Sequence, residues 1–198
     1  MILYYVPGAC SLADHIALIE ARIAHKLVKL VFVDGIKRTD DGRDFLSINP
    51  KGYVPALELD DGTVLTENLA ILAYIAHRGG LLLPADGIAR WRALEATSFM
   101  TTELHSNFKP FFYPDATQME KDKARRFLVK HFATLATQLG DHPFLTGDQM
   151  TIADPYLFVM LRWATSFGIE VPDRLTTYHA RLTQVPSFAR ALAEEGLA

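Results

Sequence analysis

The sequence predicts two domains of different class, a small α/β domain followed by an all-helical one. Three observations carry this. Up to about residue 80, runs rich in β-branched and aromatic residues alternate with amphipathic segments. Beyond Ile88 every periodic segment has helical spacing. Between them, Arg78 to Ile88 gathers glycines and a proline, the composition of a connection. The expected domains are 1–80 and 87–198, a mixed layer packed against a helical bundle.

Each element follows in order. Ile2 to Val6 is an apolar, aromatic run and reads as a buried strand, broken by Pro7-Gly8. Leu12, Ile16, Ile19 and Ile23 then recur on one helical face. Lys26 to Val33 reads as a second strand, so the first two strands should run parallel through a helical crossover. Asp34 to Asp44 is polar and is expected to be a loop, with a short helix after it. Asn49-Pro50-Lys51-Gly52-Tyr53-Val54-Pro55-Ala56 is a shaped turn. Ala56 to Asp60, the Asp61-Gly62 turn and Thr63 to Leu65 form a hairpin. Thr66-Glu67-Asn68 opens a helix carrying Leu69, Leu72, Ala73 and Ala76.

The second half is read as helices throughout. Trp91 to about Phe111 is one long helix. Thr117-x-x-Glu120 is a capping box for a helix that runs to Gly140. Thr151-x-x-Asp154 is a second cap, with Asp in place of the usual Glu or Gln, for a helix ending near Gly168. Residues 173–184 and 187–195 supply two more.

Composition narrows the class. The chain has 198 residues, 49% of them hydrophobic and 11% aromatic, enough for a substantial core. A net charge of −3 argues against nucleic acid as a partner. A single cysteine forms no internal disulfide, and no apolar run approaches the ~20 residues of a membrane span. With no signal-peptide pattern at the start, the expected location is the cytoplasm. No nucleotide-binding glycine motif and no G-x-S-x-G occurs, and the scattered histidines suggest no metal site.

Three features remain as candidate chemistry. Cys10 stands at or just before a helix N-terminus, where free N–H groups and the positive end of the dipole favour an anion and lower a thiol pKa. The competing reading is a small buried hydrophobe. Val54-Pro55 stands between a glycine-containing loop and a strand. Its backbone can pair with an extended peptide if left free, and its peptide bond is a candidate for the cis form. Glu67-Asn68 at a helix start offers a carboxylate for an ammonium and N–H groups for a carboxylate, or plain capping. Together they describe a site for a small peptide with an amine, a carboxylate and a thiol, and glutathione has all three.

With those residues in hand the chain resembles a cytosolic glutathione S-transferase, most closely of the bacterial beta class. The resemblance spans essentially the whole sequence. It rests on Pro-Gly-Ala-Cys-Ser-Leu at 7–12, Asn-Pro-Lys-Gly-x-Val-Pro-Ala at 49–56, Leu-Thr-Glu at 65–67, Thr-Glu-Leu-His at 102–105, Thr-Ile-Ala-Asp at 151–154 and Glu-Gly-Leu at 195–197. It implies a thioredoxin-like N-terminal domain and a C-terminal helical bundle. Pro55 would be cis and Val54 would pair with the cysteinyl part of glutathione. Glu67 and Asn68 would hold the γ-glutamyl end, where many members have Ser in place of Asn68, and Lys37 would hold the glycyl end. Cys10 and His105 would flank the glutathione sulfur. Ser98 and Glu103 would complete the site, Glu103 across a homodimer interface.

The function implied is conjugation of the glutathione thiolate, the co-substrate, to small apolar electrophiles, with no metal, nucleic acid or membrane partner. Phe108, Phe112, Tyr113 and Trp163 would wall the electrophile site, with Phe111 and Phe167 beside them, although simple core packing explains any one of these rings. Two other functions compete. One is a glutathione-dependent thiol–disulfide oxidoreductase acting through a Cys10 mixed disulfide. The other is a non-catalytic carrier of apolar ligands.

Overall fold

The computed structural model describes residues 1–198 as two compact units. The first comprises Met1–Leu81 and Pro186–Ala198, the second Leu82–Val185. Residues 186–198, counted with the helical domain from sequence, therefore pack in the first unit.

The first unit is built on a five-stranded sheet of order β3-β2-β1-β4-β5. Its strands are β1 (Ile2–Tyr5), β2 (Lys26–Val33), β3 (Ile36–Thr39), β4 (Ala56–Glu58) and β5 (Val64–Thr66). β1 pairs parallel with β2, Leu3 opposite Leu27, and antiparallel with β4, Leu3 opposite Leu57. As the central strand, β1 buries Leu3, Tyr4 and Tyr5 in succession, so both faces of the sheet are covered. On one face Tyr4, Leu30, Phe45 and Ala56 form a buried cluster with Val28, Val54 and Val64 packed against it. Helix α1 (Ser11–Glu20) contacts both α2 (Asn68–Gly79) and α8 (Pro186–Glu194).

Helix α1 stops earlier than the periodicity through Ile23 suggests. Arg22 turns left-handed at φ 55°, the Ile23 N–H bonds the Leu18 carbonyl at 3.0 Å and the Arg22 N–H bonds that of Ile19 at 3.0 Å. This is a Schellman ending with an arginine where glycine is usual. It brings Ala21 so close to α2 that a Cβ on Gly79 would stand 2.7 Å from the Ala21 Cβ, and Gly79 supplies the missing atom's room.

The stretch Asp34 to Asp44, expected to be a loop, contains β3. Its pairing with β2 sets Val33 opposite Ile36 around a turn at Asp34-Gly35, where both residues have positive φ. Ile-Lys-Arg-Thr carries too little apolar alternation to announce a strand, as suits a short edge strand. The short helix expected after it is a 3-10 turn at Phe45–Ser47, capped by Asp44.

The second unit holds α3 (Gly87–Phe99), α4 (Ser106–Phe112), α5 (Gln118–Leu139), α6 (Ala153–Ser166) and α7 (Asp173–Thr183). The capping box at Thr117 and Glu120 is complete in both directions. The long helix expected from Trp91 to Phe111 is interrupted by a π-helical segment, Met100–His105. Side chains around it bond carbonyls four residues back: Thr101 to Thr97 at 3.0 Å, Thr102 to Ser98 at 3.3 Å and Asn107 to Glu103 at 2.5 Å, with Ser106 bonding Thr102 as well. A π register shifts backbone pairing by one residue, and these donors engage carbonyls along the wider turn.

The cap at Thr151 forms in one direction. Asp154 Oδ2 accepts from the Thr151 N–H at 2.6 Å and from its hydroxyl at 3.2 Å, while the Asp154 N–H bonds the Thr151 carbonyl. Asp154 is fully buried, and its Oδ1 accepts from the Leu145 N–H at 2.8 Å and the Tyr178 hydroxyl at 2.5 Å. Its carboxylate ties three segments of the unit together.

Candidate functional site

In the first unit, three distant stretches of sequence meet at Cys10. Cys10 is the N-cap residue of α1 and is 6% exposed. Its thiol donates to the Val54 carbonyl at 3.3 Å. Its own carbonyl accepts from the Asn68 side-chain amide at 2.9 Å. The three candidate features found along the chain are thus joined by hydrogen bonds. The Val54-Pro55 bond is cis, and Val54 lies just ahead of β4, outside the ladder.

Asn68 is buried and opens α2, and its Oδ1 has no protein partner. Its side-chain amide braces the Cys10 backbone. Glu67 precedes it at φ 74°, in the left-handed region, with its side chain about two-thirds exposed. Its Oε1 accepts from Lys51 Nζ at 2.6 Å, and the same ammonium reaches Thr66 Oγ1 at 3.1 Å. Lys37 Nζ donates to the Gly52 carbonyl at 2.6 Å and stands over the Phe32 and Tyr53 rings at 5.7 and 5.5 Å from their centres.

The electrostatics of Cys10 run opposite to the lowering expected at a helix N-terminus. Burial pushes its thiol up to about 12, and the nearby Asp14 carboxyl adds to the rise. Asn68 and the N–H groups of Cys10 and Ser11 pull it down, by less. Desolvation therefore wins over the helix terminus, and Cys10 is a neutral S–H donor at physiological pH. Asp14 itself is fully buried one turn along α1, with neither carboxyl oxygen hydrogen-bonded. Burial holds its carboxyl well above the usual range, and Glu195 adds to the effect.

The second unit carries the remaining candidates. His105 closes the π segment, its Nδ1 2.7 Å from the Tyr156 hydroxyl and its ring edge-on to Trp163 at 5.1 Å. Burial, with the Lys109 ammonium, pushes His105 down to about 4, so the imidazole is neutral near pH 7. Trp163 collects the aromatic residues: Phe108 at 5.3 Å and Phe112 at 5.0 Å both meet it edge-on. Phe108 is fully enclosed and belongs to the core, whereas Phe112 and Tyr113 are about half exposed. Phe111 and Phe167 lie 5.3 Å apart beside them. Ser98 and Glu103 are exposed on their helix, and Glu103 stands 3.8 Å from His131 Nε2.

Sequence reasoning singled out neither Lys51 nor Asp14. Lys51 lies inside the Asn49 to Ala56 motif but its contact with Glu67 spans 16 residues. Asp14 reads as an ordinary acidic residue in a first helical turn, and only burial makes it unusual.

The chain matches the glutathione S-transferase N-terminal domain over residues 9–78 and the glutathione S-transferase C-terminal domain over residues 118–183. It is 41% identical over 203 residues to glutathione S-transferase GstA of Escherichia coli O157:H7, with all of both chains covered. It is 38% identical over 209 residues to glutathione S-transferase GST-4.5 of Xanthomonas campestris pv. campestris, again with full coverage. Among solved structures, the ternary complex of BphK, a bacterial glutathione S-transferase, superposes with a TM-score of 0.94 at 40% identity over the whole of both chains. A sphingomonad glutathione S-transferase complexed with glutathione gives 0.92 at 40% identity, and the beta-class enzyme of Sphingomonas chungbukensis gives 0.91 at 40%, both over all of each chain. A thioredoxin-like sheet and a helical second unit, carrying both matched regions in order, place the chain in the glutathione S-transferase family.

Proposed function

We propose that this chain joins the thiolate of glutathione to small, largely apolar electrophiles, a detoxifying conjugation carried out in the cytoplasm. The observation that carries the reading is the hydrogen-bonded junction of Val54, Cys10 and Asn68 with Glu67 beside it. It offers backbone groups for an extended peptide, a carboxylate for an ammonium and a thiol for the sulfur. Lys37 meets the glycyl carboxylate, and Glu67 with the N-terminus of α2 meets the γ-glutamyl end.

Chemistry requires a thiolate from a thiol of ordinary pKa about 8.5. Cys10, protonated at neutral pH, supports this as an S–H donor to the glutathione sulfur. His105, also neutral, is assigned the same role through a ring N–H. Ser98 and Glu103 complete the glutathione contacts in this reading, and the half-exposed Phe112 and Tyr113 with Trp163 receive the electrophile, Phe108 supporting them from beneath. The high thiol pKa of Cys10 favours this donor role over a thiol–disulfide oxidoreductase in which Cys10 itself attacks. The chain works as a homodimer in this reading, and light scattering giving the 22.1 kDa mass of one chain at micromolar concentration would exclude that.

Glutathione consumption against a panel of aryl halides, epoxides and peroxides tests the reading. Turnover with at least one class is expected. Binding of apolar ligands with no consumption of glutathione by any of them would make the protein a carrier instead.

A further inference from the structure

Within the second unit, helix α6 supplies two neighbours of the His105 imidazole. Tyr156 and Trp163 stand seven residues apart on α6, about two turns, so they share one face. The His105 ring lies against both. Its Nδ1 is 2.7 Å from the Tyr156 hydroxyl, and it meets Trp163 edge-on at 5.1 Å. Tyr156 is fully buried and follows Asp154 by two residues. The Asp154 carboxylate accepts from Leu145, Thr151 and Tyr178, so the start of α6 has little freedom.

A phenylalanine would fill the room of Tyr156 without bringing a polar atom to the imidazole. The hydroxyl therefore needs an account beyond packing. A neutral imidazole carries one ring N–H, and its other nitrogen accepts. The bond made by one nitrogen decides which of the two holds the proton. A phenol, with an ordinary pKa of about 10, is a far stronger acid than a neutral imidazole N–H, and a ring nitrogen is the better acceptor. The favoured bond is O–H to Nδ1. An imidazolium has no lone pair there to receive it. Burial keeps His105 neutral near pH 7, with the Lys109 ammonium adding to the effect, and so leaves Nδ1 able to accept.

We infer that Tyr156 donates a hydrogen bond to Nδ1 of His105 and so holds the ring in the tautomer with its proton on Nε2. Tyr156 is then a positioning residue that fixes the proton on the nitrogen left to meet a ligand. The inference rests on the role proposed above for His105. A donor to the glutathione sulfur must present an N–H, and with Nδ1 engaged that N–H is at Nε2. In the other tautomer Nε2 would turn a lone pair towards a thiolate and repel it.

Nitrogen-15 NMR of the native protein labelled at histidine tests this. The two neutral tautomers give different two-bond ring correlations, and the signals lost in His105→Ala assign the residue among the seven histidines. At pH 7 the parent is expected to show the Nε2–H form. Tyr156→Phe removes the hydroxyl alone. It is expected to release His105 into a mixture of tautomers and to lower kcat for conjugation about 2- to 10-fold. A parent in the Nδ1–H form would overturn the inference, and so would a Tyr156→Phe protein that keeps the Nε2–H form as fully as the parent. Either result, with conjugation by the parent intact, leaves the glutathione reading standing. A parent that conjugates no electrophile would overturn that reading, and the part given to Tyr156 in it, whichever tautomer is seen.

Discussion

Asn68 donates its side-chain amide to the backbone carbonyl of Cys10 at 2.9 Å, joining the starts of two helices 58 residues apart. Both residues are buried, so the bond is shielded from water. Asn68→Ala removes one of the donors to a buried carbonyl and is expected to cost about 1–3 kcal/mol of stability, read by urea unfolding. Because the same amide also eases ionisation of Cys10, alkylation of Cys10 in the folded variant should need a higher pH than in the parent. Unchanged stability together with an unchanged alkylation profile would show that the bond has no energetic weight.

Glu67 separates binding from folding. Its ion pair with Lys51 is short at 2.6 Å, but both side chains are more than half exposed, and such pairs contribute about 0–1 kcal/mol. In the role proposed for it, facing a ligand ammonium, its carboxylate would be worth more, because a hydrogen bond to a charged group contributes about 1.5–3 kcal/mol. Glu67→Gln is therefore expected to weaken glutathione binding by about that amount in calorimetry with little loss of stability. Unchanged affinity would remove Glu67 from the site.

Asp14 makes stability depend on pH in an unusual direction for a carboxyl. Its folded pKa is raised by burial, with Glu195 adding to the rise, while Cys10 is the other titrating group that senses its charge. Over the interval between the ordinary carboxyl value of about 3.9 and the raised folded value, the folded chain holds a proton that the unfolded chain has released. Stability from this group is then complete at acid pH and falls as pH rises through that interval. Asp14→Asn, which cannot ionise, is expected to flatten the decline, measured by urea unfolding at a series of pH values. A decline of the same slope in the variant would show that Asp14 is not the group responsible.

How legible the molecule was in its sequence varied with the range of the cause. β2 and the Thr117–Glu120 capping box depend on neighbouring residues and were readable from them. β3 was missed because an edge strand of Ile-Lys-Arg-Thr pairs on one side only and needs no apolar alternation. The π segment at 100–105 was missed because helical periodicity does not register a shift of one backbone bond. The candidate residues Cys10, Val54, Glu67 and Asn68 were singled out through turn and helix-start chemistry. Their partners were not, because Lys51 meets Glu67, and Asn68 meets Cys10, only in the folded chain. The direction of the Cys10 shift was misjudged for the same reason: a helix start can be seen in a sequence, whereas full desolvation and a buried Asp14 cannot.

In the proposed reaction Cys10 donates a hydrogen bond to the glutathione sulfur and does not itself attack. Steady-state kinetics of Cys10→Ser and His105→Ala, each assayed for conjugation and for reduction of a glutathione mixed disulfide, tests it most directly. Serine keeps a donor, so Cys10→Ser should retain much of its conjugating activity and lose any disulfide exchange that Cys10 supports, because a hydroxyl is a poor nucleophile at neutral pH. His105→Ala should impair conjugation more than Cys10→Ser does. Complete loss of conjugation in Cys10→Ser, with glutathione binding unchanged, would contradict the account and give the chemistry to the cysteine itself.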